Sequence, residues 1–434
     1  MQALLEPGAR GMRSWAARRS PAAWLRRQQL GRGFWIFFTA AFFFDAGFSV
    51  YFFLFNLFLL DFGWNERAIG LVGGALTLGS MAGTLPMGAL ARRIGLRPLL
   101  IFCFIAAPAL GALRAVWIWQ PAQLAMAFLS GLSMSAWSVC YLPTVAGLTS
   151  EKNRPMGFSL IYSVSIGCSS LGAVFCGELP LWLKRLGWSP QPAEVKRAIL
   201  LGSCAIAALG LAVVLRLRMP ARGADEPPVK AAQAPTLQRL RRLLRLEPFL
   251  LRFLTTMALW SVVLAAFTPF ANVYLSRDLH IPLARIGLIF AGAQVLQLCA
   301  GMLNPWLFRT FGMVNGIVVT EAATALALGA LGAARSAVFA VPLYLTFSAA
   351  QWMSSPGLYN LLMDETPETE RSRAAALTMF SSTLAGSAAT AGAGILFTRF
   401  GYPPVLLGIA ALALSVAGLC RLLMQSKRTT AAAE

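Results

Sequence analysis

Residues 34–60 read FWIFFTAAFFFDAGFSVYFFLFNLFLL, a run that contains a single charged side chain, Asp45. About 20 consecutive apolar residues in an α-helix are enough to cross the hydrocarbon core of a bilayer. This run is longer, so it predicts a transmembrane helix with some tilt.

Eleven similar runs follow, separated by charged or turn-forming residues. They lie at roughly 68–91, 98–118, 122–147, 156–179, 197–216, 250–275, 284–308, 313–333, 337–362, 373–398 and 402–423. Hydrophobic residues make up 57% of the chain and charged residues 12%. Soluble domains carry about 25% charged residues, so the composition excludes that class. The sequence predicts an all-α integral membrane protein with twelve transmembrane helices.

Positive charge is distributed unevenly between the two sides of the predicted membrane. Most of the 37 Lys and Arg residues fall on the side of the N-terminal tail. The positive-inside rule therefore places both termini in the cytoplasm, with the protein in the cytoplasmic (inner) membrane. We expect the net charge of +20 to serve contacts with anionic lipid head groups rather than nucleic acid.

The chain repeats itself at half its length. A shift by half of the 434 residues places Gly70 on Gly287 and Gly95 on Gly312, and a shift shorter by one position places Asn56 on Asn272. Such a repeat predicts two pseudo-symmetric six-helix bundles that meet at a cavity near the midplane. The expected divisions are a basic tail (1–33), an N-terminal bundle (34–216), a basic linker (217–249), a C-terminal bundle (250–424) and a second tail (425–434).

Residues 88–97, between spans 2 and 3, read GALARRIGLR. This stretch resembles the signature loop of the major facilitator superfamily, G-x-L-A-D-R-x-G-R-R, with Arg92 in place of the Asp and Leu96 in place of the first late Arg. The resemblance extends over nearly the whole chain, including an E-x-x-R motif at 151–154 and another at 368–371. It implies a monomeric secondary transporter that moves a small-molecule substrate by alternating access, without a cofactor.

The loop between spans 2 and 3 is expected to latch the cytoplasmic side in one conformation. Gly88 is expected to permit a close helix approach and Gly95 a tight turn. The alternative is that these arginines only orient the protein in the membrane. The expected gate residues are Gly88, Arg92, Arg93, Gly95, Arg97, Glu151, Arg154, Arg309, Glu368, Glu370 and Arg371.

Asp45 is the main functional candidate, because a charge within hydrocarbon is costly and usually marks a functional site. Ser49 and Asn56 lie about one and three helical turns further on, so the three residues share a face. We expect Asp45 to couple transport to protons by binding and releasing one as access alternates. The alternative is a structural acid held by a neighbouring hydroxyl, amide or Arg.

Polar and aromatic residues of other spans are expected to complete the cavity, since the resemblance implies that helices 1 and 7 line it. Individually, such residues also serve as hydrogen-bonding contacts between helices. Besides Ser49 and Asn56, the candidates are Thr77, Ser80, Trp137, Tyr141, Tyr162, Ser261, Thr268, Asn272, Gln294, Gln297, Trp352, Tyr359 and Asn360.

Two further charged residues lie in or near the predicted spans. Glu321 is in the middle of span 9; the resemblance implies that this span is peripheral, so we expect Glu321 to be paired structurally with a neighbour, with a functional acid as the alternative. Arg114 is near an outer end, where its side chain is expected to extend to the head groups. All seven cysteines fall in apolar runs and are expected to be buried.

Other function classes are less consistent with the sequence. There is no HExxH, GxSxG or P-loop motif, and only one His, so an enzyme or a metal site is not expected. A sensor or a lipid-moving protein on the same scaffold remains the alternative. The sequence leaves the substrate and the direction of transport open.

Overall fold

The fold is described from a computed structural model. The structure describes residues 30–150, 153–185, 187, 191–219, 248–367 and 370–430. Residues 1–29 of the first predicted tail, 220–247 of the linker and 431–434 of the second tail lie outside these ranges, as do Glu151 and Glu368.

The described residues form helices in every predicted span. Eleven of the helices are long and apolar enough to cross a membrane. The helices of spans 1–6 are α1 (Arg32–Asp61), α2 (Glu66–Ile94), α3 (Leu96–Val116), α4 (Gln120–Leu148), α5 (Arg154–Arg185) and α6 (Pro192–Val214). Those of spans 7–12 are α7 (Pro248–Phe267), α8 (Leu283–Phe311), α9 (Met313–Ala333), α10a (Ala337–Ala350) with α10b (Ser354–Glu365), α11 (Arg371–Phe400) and α12 (Tyr402–Thr430).

Two spans depart from a regular α-helix. Span 7 continues beyond α7 through a 3-10 turn (Thr268–Phe270), a short α segment (Ala271–Val273) and a π turn (Tyr274–Asp278). Span 10 is interrupted at residues 351–353. Pro356 has no N–H to donate to the carbonyl four residues earlier, at Trp352, so one helical hydrogen bond is missing next to the interruption.

The two halves repeat the same architecture in the same register. The first residues of α2, α3 and α4 precede those of α8, α9 and α10a by the same interval, half the chain length. In the first half α1 packs on α5 and α6, and α2 on α4; in the second, α7 packs on α11 and α12, and α8 on α10a. Gly95 and Gly312 take φ values of +87° and +79°, conformations that favour glycine, so both halves use the same tight turn.

The seam between the halves consists of two equivalent helix crossings, α2 with α11 and α8 with α5. A Cβ at Gly70 would lie 2.7 Å from the Thr390 carbonyl oxygen, and one at Gly287 would overlap the Ala173 carbonyl. The repeat relates Gly70 to Gly287 and Ala173 to Thr390, so glycine permits the same close approach in both crossings.

Candidate functional site

A cavity of about 400 Å³ lies beneath this seam. It is lined by segments of α1, α2, α3, α5, α8 and α11 and by the irregular part of span 7. Six of the candidate residues predicted from the sequence line it, namely Ser49, Asn56, Thr77, Thr268, Asn272 and Gln294. The wall mixes these polar groups with phenylalanines, an arrangement suited to a small polar solute with an apolar surface.

Two reciprocal hydrogen bonds close one end of the cavity. Asn56 donates from Nδ2 to the Pro269 carbonyl oxygen at 2.8 Å, and Asn272 donates from Nδ2 to the Phe53 carbonyl oxygen, also at 2.8 Å. The same shift that relates the two donors also relates the two acceptors. The polar stripes of spans 1 and 7 therefore meet across the pseudo-symmetry axis.

Further polar contacts join the halves at the same end. Arg277 binds both carboxylate oxygens of the buried Glu66, at 3.0 and 3.1 Å. The backbone N–H of Arg67 donates to the Thr398 hydroxyl at 2.9 Å. Sequence reasoning did not identify these residues, because nothing in the sequence distinguishes them from other polar groups near the ends of helices.

The other end of the molecule, which holds Gly95 and Gly312, is called the basic end below, and the end with the Glu66–Arg277 pair the opposite end. The Glu66–Arg277 pair and the close approaches at Gly70 and Gly287 involve the portions of α2, α5, α8 and α11 nearest the opposite end. Large side chains on the basic-end portions remain exposed, including Leu85 (75%), Tyr162 (60%) and Met302 (70%). The part of the chain that the structure describes is thus closed between the halves at the opposite end.

Asp45 lies deeper towards the basic end, half-buried on α1. The Ser165 hydroxyl of α5, Tyr141 and Cys168 are close enough to its carboxylate to interact with it electrostatically. The acid therefore lies among α1, α4 and α5. It is absent from the residues that line the 400 Å³ cavity, although Ser49, one turn further along α1, is among them.

Arg114 corrects an expectation. It does not extend to the head groups but is 3% exposed and lines the cavity. Its guanidinium lies 4.3 Å from the centre of the Phe55 ring, and its Nε donates to the Gln123 Oε1 at 3.3 Å. The aromatic face and the amide oxygen stabilise the buried cation, and they place a positive charge in the cavity wall.

Other candidate residues occupy different surroundings. Trp137 contacts the rings of Phe37, Phe44, Phe104 and Tyr141 inside the first half. Thr268 donates to Gln351 at the break in span 10, at 3.0 Å. The exposed residues are Tyr162, Trp352, Tyr359 and Asn360, and the half-buried ones are Ser80, Ser261 and Gln297.

The expected gate residues make several local contacts in this conformation. Arg97 donates to the Leu215 carbonyl at 2.8 Å, and Arg371 donates from Nε to the Met363 and Thr366 carbonyls at 3.0 and 3.3 Å. Glu370 pairs with Arg373 at 3.4 Å.

The remaining gate candidates lie in or beside the helices at the basic end. Among the described residues, Gly88 makes no close helix approach, since the nearest atom to an added Cβ is an Arg92 nitrogen at 4.0 Å; this expectation was wrong for the present conformation. Arg92, Arg93 and Arg309 are exposed, and Arg154 begins α5. The latch itself stays a prediction.

Two further expectations for buried side chains also fail. Cys299 is exposed, whereas the other six cysteines are buried. Glu321 is fully buried, but neither carboxyl oxygen has a hydrogen-bond partner among the described residues, so the expected structural pairing is not seen.

Comparisons with known proteins give a consistent family and fold. The sequence profile described as Major Facilitator Superfamily matches residues 37–390. No protein of curated function matches the chain by sequence.

Solved transporters share the fold at low identity. A mutant of the nucleoside transporter NupG is 12% identical, with a TM-score of 0.74 over 90% of this chain and 100% of that one. A D-xylose–proton symporter is 15% identical, with a TM-score of 0.68 over 89% and 96%. A mutant of the E. coli fucose–proton symporter FucP is 16% identical, with a TM-score of 0.57 over 90% and 98%.

Proposed function

The chain belongs to the major facilitator superfamily, and we propose that it is a secondary active transporter that moves a small polar solute by alternating access. The observation that carries this proposal is a cavity between two pseudo-symmetric halves that are joined at one end by polar contacts. Hydrogen bonds and an ion pair can break and re-form as the halves rock.

We propose that the basic end faces the cytoplasm, in the cytoplasmic membrane, as the positive-inside rule requires. The conformation described here is then closed towards the outside. Single cysteines in place of the exposed Arg67 and Arg309 test the orientation, in a Cys299→Ser background that removes the exposed native thiol. In intact cells, an impermeant maleimide should label position 67 and not position 309; the reverse pattern would contradict the orientation.

Proton coupling through Asp45 is the second part of the proposal. Asp45 is the charged side chain in the middle of α1, it is half-buried, and the Ser165 hydroxyl of α5 is close enough to interact with it. An acid at such a position can bind a proton from one side and release it to the other when the surrounding helices move. The proton would then provide the energy for uphill transport.

The cavity suggests which solutes to test first. Amide, hydroxyl and guanidinium groups line it together with phenylalanines, and its volume is within the range of small-ligand sites, about 300–1,000 Å³. The solved proteins with the same fold include transporters named for a nucleoside, for xylose and for fucose. Nucleosides and monosaccharides are therefore the first panel.

Purified protein in proteoliposomes tests the proposal. We expect at least one labelled solute of the panel to accumulate against its gradient when a pH difference is imposed, and not when the gradient is collapsed by a protonophore. Binding of a solute without any movement of it would favour the sensor alternative. Movement of labelled phospholipid between leaflets, without solute transport, would favour the lipid-moving alternative.

A further inference from the structure

Three aromatic rings fill a site inside the first half, where α1, α3 and α4 meet. The ring centres of Phe44 and Phe104 are 5.0 Å apart, and those of Phe44 and Trp137 are 4.7 Å apart. Phe104 and Trp137 complete the set with an edge-on contact at 5.8 Å. The site is therefore packed by apolar side chains.

The equivalent site of the second half can be located from the repeat. α3 and α9 have the same length and begin half a chain apart, while α4 and span 10 cover the same positions after the same shift. The positions equivalent to Phe44, Phe104 and Trp137 are Trp260, Glu321 and Ser354. α9 packs against both segments of span 10, α10a and α10b, as α3 packs against α4.

These three residues are all buried and all carry an unpartnered polar atom. Trp260 is 2% exposed, and Glu321 and Ser354 are 0% exposed. Within the described residues, the Trp260 Nε1, both Glu321 carboxyl oxygens and the Ser354 Oγ have no hydrogen-bond partner. Buried polar atoms are almost always paired with a hydrogen-bonding partner. Three residues with unpaired polar atoms, at the three positions equivalent to one aromatic site, therefore call for an explanation.

An ionised carboxylate is difficult to sustain at Glu321. A charge that is fully removed from water without a partner is neutralised by taking up a proton. The titratable group seen to interact with Glu321 is the Cys420 thiol of α12. Apart from Glu321, the charged residues of α7, α8, α9, α10a, α10b and α12 whose burial the structure describes are exposed or half-buried: Arg252, Arg285, Arg309, Asp364, Glu365 and Arg421.

We infer that Trp260, Glu321 and Ser354 form a proton-binding cluster in the second half, separate from Asp45, in which Glu321 carries the proton in this conformation. The indole N–H and the hydroxyl are the two donors that can stabilise the carboxylate once the proton leaves. Ser354 is the first residue of α10b, directly after the break at residues 351–353. Rotation of these side chains, together with a shift of α10b, would bring both donors to the carboxyl group.

Infrared spectroscopy of the full-length protein in nanodiscs tests this inference without a transport assay. The reference is Asp45→Asn, so that Asp45 does not contribute a signal. At neutral pH we expect a protonated-carboxyl stretch that shifts in D₂O and disappears in the Asp45→Asn/Glu321→Gln double variant. Loss of a carboxylate band instead, or no change in either band, would overturn the inference.

The two donors are tested with Trp260→Phe and Ser354→Ala in the same background. Because the donors stabilise the deprotonated form, at least one of these variants should raise the pH at which the Glu321 band disappears, while Trp137→Phe, at the position equivalent to Ser354, should leave that pH unchanged. If neither donor variant raises the pH at which the band disappears, the cluster is overturned. If Glu321→Gln does not fold, Glu321→Asp serves in its place, because it should shift the band while keeping the acid.

Discussion

The two halves of the molecule share the register of their helices but differ in where they carry charge. The seam uses equivalent residues on both sides: Asn56 with Asn272, and Gly70 with Gly287. The acids are not equivalent, since Asp45 of α1 corresponds to Ser261 and Glu321 of α9 to Phe104. The equivalent asparagines and glycines thus help to hold the halves together, and the non-equivalent acids Asp45 and Glu321 are the candidates for energy coupling.

Spans 1 and 7 show the same contrast in charge where they reach the opposite end of the molecule. Asp61 pairs with Lys196 at 2.8 Å inside the first half. The equivalent position of the second half is Arg277, which reaches across the seam to Glu66 instead. A charge at one repeat position therefore stabilises a single half in one case and joins the two halves in the other.

Removing the Asp45 carboxylate should have the largest effect. Asp45→Asn keeps the size and hydrogen bonding but cannot exchange a proton, so pH-driven uphill uptake should fall to background while solute exchange persists. Ser261→Ala, at the equivalent position of the second half, is the control and should retain coupled uptake. Full accumulation by Asp45→Asn would remove this residue as the coupling site.

Adding a methyl group at the seam should have the next largest effect. In Gly287→Ala the new Cβ would overlap the Ala173 carbonyl, so the opposite end cannot close as tightly. We expect this closed conformation to be destabilised by roughly 1–3 kcal/mol relative to the one that is open at this end, as in overpacked cores. Accessibility labelling at the opposite end should rise, and Gly301→Ala, which has open space around its Cβ, should match the wild type. Equal labelling of both variants would argue against closure at this crossing.

Weakening the ion pair across the seam should shift the equilibrium between the closed and open forms of the opposite end by a similar or smaller amount. Glu66→Gln retains a hydrogen-bond acceptor for Arg277 but removes the charge. We expect the free-energy difference between the two conformations to shift by about 1–2 kcal/mol in favour of the one with an open opposite end. Asp61→Asn disrupts the corresponding pair within one half, and should change thermal stability slightly without changing accessibility. If Asp61→Asn alters accessibility as much as Glu66→Gln, the distinction between the two pairs is wrong.

The reciprocal hydrogen bonds should give the smallest effects, of equal size. Asn56→Ala and Asn272→Ala each remove one bond across the seam, worth about 1 kcal/mol. Both should raise accessibility at the opposite end to the same extent. A large effect from one variant and none from the other would show that the two asparagines are not functionally equivalent.

Hydropathy and the repeat were sufficient to predict the spans and the register of the two halves, because span positions follow from local composition and the register follows from aligning one half of the sequence with the other. The break in span 10 was missed, although Pro356 is visible in the sequence. Prolines such as Pro86 and Pro143 lie within continuous helices, so proline alone does not decide where a helix is interrupted; packing does.

The site could be predicted only in part. The shared face of Ser49 and Asn56 follows from helical periodicity. The burial of Arg114 on Phe55 and the Glu66–Arg277 pair depend on how each helix is rotated and on which end of the molecule is closed. Hydropathy and charge patterns along the sequence specify neither the rotation of a helix nor the end that is closed. Charges near helix ends were therefore interpreted as surface groups.

Alternating access is tested most directly by distances between spin labels on α2 and α11, which lie in different halves. One pair replaces the exposed Leu85 and Met379 at the basic end, and the other replaces the exposed Arg67 and Arg399 at the opposite end, both in a Cys299→Ser background. When pH or a transported solute is varied, we predict that the first distance shortens as the second lengthens. Distances that stay fixed at both ends, in protein that transports, would contradict the account.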